Sequence, residues 1–63
     1  MDRKTAEKIL SAKGFRLMTK VRGGDYWASK GAVGSADGCY TAHAPTLKRL
    51  CWKVVAGRVV KEN

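Results

Sequence analysis

Acid is scarce in this chain. Five Asp and Glu stand against 13 Lys and Arg, which leaves a net charge of +8 on 63 residues. A cationic excess this large on so short a chain draws polyanions to it, either nucleic acid or an acidic protein surface. Long apolar runs are missing too. No stretch approaches the ~18 residues a membrane-spanning helix needs, so no membrane is expected as a partner. The chain starts polar and charged, without the apolar core of a secretory signal. The expected compartment is therefore the cytoplasm, where Cys39 and Cys51 stay reduced. The seven glycines form neither GxxxxGK[ST] nor GxGxxG, which excludes the common nucleotide cradles. No internal repeat or low-complexity tract is present, and the length leaves room for one domain over residues 1–63. A domain of this size buries only ~60% of its unfolded surface, so a partner subunit would add much to its stability.

What is present is a regular alternation of element signals. Asp2 is a good helix N-cap, Ala6, Ile9 and Leu10 fall on one helical face, and Gly14 suits a left-handed C-cap. These predict a helix over Met1 to Gly14. Phe15 to Arg22 (FRLMTKVR) follows with period-two alternation. Phe15, Leu17 and Val21 form one side, and Arg16, Lys20 and Arg22 with Met18 form the other. This predicts a strand with one buried and one cationic face, the centre of the fold. Gly23-Gly24 is a hairpin signal, and Tyr26 to Lys30 is the returning strand. Alternation alone does not fix its inward set, because a one-residue slip exchanges the faces. Trp27 is expected inward, and Tyr26 outward beside the cationic row.

Gly31 to Gly38 reads as a loop and Cys39 to His43 as a third short strand. Ala44-Pro45-Thr46 opens a second helix, either with Pro45 in its first turn or with Thr46 as its cap, with apolar residues at 47, 50, 51, 54 and 55 and a stop at Gly57. Cys51, Trp52, Val54 and Val55 favour strand, but the start and stop signals and the spacing decide for helix. Arg58 to Asn63 is a tail or a short edge strand through Val59 and Val60. The expected fold is α+β in the order helix-strand-strand-strand-helix. A three-stranded antiparallel sheet carries both helices on one face, because each helix has a single apolar stripe to bury.

Chemistry is sparse. Cys39, His43, Cys51 and Asp37 are near one another in sequence, yet Cys-x3-His-x7-Cys matches no strong zinc pattern. Cys51 also falls on the apolar stripe of the second helix, where a core cysteine belongs. Cys39 and His43 could share a strand face as a nucleophile and its base. Catalysis would also need an orienting group, an oxyanion site and a dry pocket, which a chain this short rarely builds. Asp2 is better explained as a cap and Asp25 as a turn residue. The expectation is a protein that is not an enzyme and carries no metal or cofactor.

The basic residues fall into two groups. Arg16, Lys20 and Arg22 are expected on the exposed sheet face with Lys30 and Tyr26, and Lys48, Arg49 and Lys53 on the outer side of the second helix around Trp52. An exposed Trp among cations can stack on a base or dock on a partner, although Trp more often flanks a core. If the sheet lay on DNA, Arg16, Lys20 and Tyr26 would read bases and Lys30 would hold phosphate. The element order and approximate size also resemble double-stranded RNA-binding domains. In place of that family's basic run at the second helix, this chain has only Lys48 and Arg49. The resemblance implies contacts from Arg3 and Lys4, the Arg22 to Asp25 hairpin, and Lys48, to phosphate and 2′-OH groups. The functional expectation is a small, basic, non-catalytic nucleic-acid-binding protein of DNA or RNA. The alternative is an accessory or inhibitor protein, of the phage or mobile-element kind, docking on an acidic protein surface. A homodimer through the open sheet face is the expected assembly if one forms, but Arg16, Lys20 and Arg22 would meet their own copies there.

Overall fold

The ends of both helices follow from local chemistry. In a computed structural model, which describes residues 1–32 and 36–62, α1 spans Arg3–Ala12. Its N-cap Asp2 accepts the Thr5 amide at 2.8 Å. Its C-terminus closes as expected on Gly14, whose φ is +79°. The Phe15 amide donates back to the Leu10 carbonyl and the Gly14 amide to that of Ser11, both at 2.9 Å. This turn drops Phe15 into the core. α2 spans Leu47–Val55, with Thr46 accepting the Arg49 amide at 3.1 Å. It ends in the same way at Gly57, with Arg58 donating to Lys53 at 2.8 Å. Capped ends and the buried stripe of Leu50, Cys51 and Val54 outweigh the strand preference of this stretch.

The strands are β1 (Arg16–Leu17), β2 (Tyr26–Gly31), β3 (Cys39–Ala44) and β4 (Val60–Glu62), antiparallel in that spatial order. The α+β order and the two helices on one face are as expected. The sheet has four strands rather than three, because the chain after α2 returns to pair with Cys39–Thr41 of β3. β-Branched Val59 and Val60 suit that edge. The predicted loop Gly31 to Gly38 lies partly outside the described residues, as does Asn63.

The stretch expected to centre the fold is shorter than its alternation implies. Only Arg16 and Leu17 pair regularly, with Ser29 and Ala28. The Gly23-Gly24 turn forms as expected, with both φ angles positive and Arg22 bridged to Asp25. Between these pairings one arm holds four residues, Met18 to Val21, and the other only Tyr26 and Trp27. The longer arm bulges, with its bend at Thr19 and Lys20, and Met18 to Val21 lie outside the ladder. The central pairing is instead β2 with β3, six residues on each strand.

One sheet face is covered. Leu17, Tyr26, Ala28, Tyr40, Ala42 and Ala44 pack there against Ala6, Leu10, Phe15, Leu50, Cys51 and Val54. Alanines on the strands let the helices sit close. Leu10 and Leu50 are the largest fully buried side chains, each worth ~1.5–3 kcal/mol of transfer energy. The helices run in the same direction. Met1, Thr46, Leu47 and Lys48 line a depression at one end, with Tyr26 and Pro45. Lys13 and Gly57, which follow the C-termini, line a cleft of about 420 Å³ at the other.

Candidate functional site

The inward set of β2 is the reverse of the sequence expectation. Tyr26, not Trp27, packs on the helix side, in step with Ala28 and opposite Ala44. Period two yields two sets of residues but not their faces, and the small Ala28, Ala42 and Ala44 are the ones that fit beneath the helices. Lys30 shares the Ala28 face. Its aliphatic stem lies beside Gly14, so Lys30 is on the opposite sheet face from Arg16. With Lys20 in the bulge, the predicted row of Arg16, Lys20, Arg22, Tyr26 and Lys30 is not a single surface.

Trp27 and His43 instead stand together on the uncovered face. The Trp27 carbonyl accepts the Met18 amide at 2.8 Å, so it points toward β1. Trp27 and His43 are therefore a non-hydrogen-bonded pair, the closer kind in an antiparallel ladder. Their rings stack with centroids 4.2 Å apart and planes 21° from parallel. His43 donates its Nδ1–H to Asp25 Oδ2 at 2.6 Å, and Trp27 donates its indole N–H to the Arg22 carbonyl at 3.2 Å. The hairpin end thus fixes both rings. Sequence reasoning assigns Asp25 to the turn alone. The signal that could have found its second role is the pairing of Tyr26 with Ala44, which sets Asp25 beside the end of β3.

Cys39 shares this face with His43 but is four residues away along the strand. At ~3.3 Å per residue that is roughly 13 Å, too far for a nucleophile and its base or for a shared metal. Cys51 lies on the other side of the sheet, in the core as expected. Burial pushes its thiol pKa up, so it is a poor nucleophile at neutral pH.

The parallel helices gather charge at one end. Arg3 and Lys4 open α1, and Lys48 and Arg49 open α2, with no acidic residue in either first turn. Arg22, at the hairpin tip, is bridged to Asp25, the residue before the Tyr26 that lines the depression at this end. Arg3 is partly neutralised by Glu7 at 3.3 Å and also donates to the Met18 carbonyl at 2.6 Å. Lys48 and Arg49 have no ion-pair partner among the described residues.

Beside them Trp52 is 53% exposed. The Arg49 and Arg58 guanidiniums sit 5.8 and 5.5 Å from its ring centroid. Thr46, Lys48, Arg49 and Trp52 line a shallow depression of about 260 Å³. The expected grouping of Lys48, Arg49 and Trp52 is present. Lys53 is turned away from it, donating to the His43 carbonyl at 2.9 Å where β4 no longer covers β3. Arg58 takes its place, brought round by the turn at Gly57.

Among the described residues no helix is long and apolar enough to cross a membrane. The chain matches no known protein family, no curated protein and no solved structure.

Proposed function

We propose that this protein is a small non-catalytic nucleic-acid-binding protein whose affinity comes from neutralising phosphates at the end where both helices begin. The observation that carries the reading is the placement of Lys48 and Arg49 in the first turn of α2, at the same end of the fold as Arg3 and Lys4 in that of α1, with no acid in either turn beyond the Asp2 cap of α1. Cations there oppose the helix dipole and cost roughly 0.3–1 kcal/mol each, where acids would stabilise by as much. Charges set against local stability are where a ligand is expected to supply the compensation. Phosphates would do so from both the side chains and the helix N-termini. Trp52 restrains both the Arg49 and the Arg58 guanidinium against its ring, which lowers the entropic cost of binding.

The test titrates duplex DNA, duplex RNA and single strands with the wild type and with the Lys48→Ala/Arg49→Ala variant. The variant is expected to bind roughly tenfold more weakly at low salt, with a salt slope shallower by about 0.7–0.9 for each phosphate it no longer neutralises. Equal affinity of variant and wild type would sink this site.

A second reading has its own observation. Trp52 and Val55 are adjacent on α2 and both more than half exposed. An aromatic anchor ringed by cations also fits an acidic protein partner. A stoichiometric partner recovered by the wild type but not by Trp52→Ala, without nucleic-acid binding, would favour it.

A further inference from the structure

We infer that the uncovered sheet face at the hairpin end is a base-stacking platform for single-stranded nucleic acid, with the His43 ring as its contact surface. The inference rests on the nucleic-acid reading above and adds to it the form of the ligand. The imidazole is held on two sides and its backbone on a third. Trp27 stacks on one ring face with centroids 4.2 Å apart, Asp25 accepts the Nδ1–H hydrogen bond at 2.6 Å, and Lys53 donates to the His43 backbone carbonyl at 2.9 Å. What is left open is the ring face away from Trp27 and the Nε2 edge. The last pairing of β4 with β3 is Val60 with Thr41, so no strand runs beside His43 on that side. The His43 side chain is 47% exposed, and its Nε2 has no hydrogen-bond partner among the described residues.

A flat ring with fixed orientation and one free face accepts a stacked base without loss of its own freedom. Bases inside a duplex are already stacked on each other, so only an unpaired base can use it. Charge complementarity selects a polyanion as the occupant. Arg22 adjoins Asp25 at the hairpin, and Lys53 lies at the His43 carbonyl. Lys53 ties the platform to α2, the helix whose first turn carries Lys48 and Arg49.

The test compares His43→Ala and His43→Phe with the wild type. The ligands are a 12-nucleotide single strand, as RNA and as DNA, and a blunt duplex of the same sequence. Circular dichroism melts establish that each variant is folded. His43→Ala is expected to lose about tenfold in single-strand affinity. Its duplex affinity should change less than about twofold. His43→Phe, which keeps a flat ring but not the Asp25 bond, should recover most of the single-strand binding. An unchanged affinity in His43→Ala, an equal loss on single strand and duplex, or no recovery in His43→Phe would overturn the platform and leave the phosphate-binding end standing. If the wild type binds neither ligand, the platform and the nucleic-acid reading fail together.

Discussion

Asp2 and Thr46 do the same task with different chemistry, and acid separates them. Asp2 caps α1 as a carboxylate, and the hydrogen bond from the Thr5 amide holds its pKa below the ordinary value. A depressed folded-state pKa means that the cap's contribution is complete above the unfolded value of ~3.9 and is lost as pH falls through the folded one. Asp2→Ala should therefore melt below the wild type at neutral pH, and the two should converge in strong acid. A gap that persists at low pH would contradict this account of the cap. The Asp2 cap was legible in the sequence and Thr46 was one of two readings of its helix start, because a capping residue acts on amides only three positions away. The Asp25–His43 bond was not, because it joins residues 18 apart that only the β2–β3 register brings together.

Among the elements, α2 carries the most weight, since it packs on the core with one side and presents Lys48, Arg49 and Trp52 on the other. Its Thr46 cap is uncharged, so Thr46→Ala should cost about 1 kcal/mol at neutral pH. Denaturant unfolding of the two proteins measures this directly, and a difference near zero would mean that the Arg49 amide finds another acceptor. The helices were readable because periodic apolar residues, caps and terminal glycines agree. The first strand was overread. Its alternation continues through Val21, and no glycine or proline marks the bulge that takes Met18 to Val21 out of the ladder. β4 was only half legible, since Val59 and Val60 form too short a run to distinguish a strand from a tail. The face of Trp27 depended on packing under the helices, which alternation does not encode.

For the molecule as a whole, the parallel course of the two helices is the decisive feature. It turns the first-turn cations of two separate elements, far apart in sequence, into one positive end. The β2–β3 register, for its part, sets the Trp27–His43 pair on the face the helices leave uncovered. Net charge alone points to a polyanion, and the proposed place of contact comes from the fold. The expected cationic strand face is not a single surface, and the proposal moves to a helix end. The grouping of Lys48, Arg49 and Trp52 is common to the sequence reading and the structure, Arg3 and Lys4 open the other helix at the same end, and Arg58 is new. The measurement that bears most directly on nucleic-acid binding is the salt dependence of wild-type affinity for a labelled oligonucleotide. If four to five side chains at this end neutralise phosphates, log K should fall linearly with log salt at a slope of roughly −3 to −4.5. A salt-independent affinity, or no binding at low salt, would contradict it.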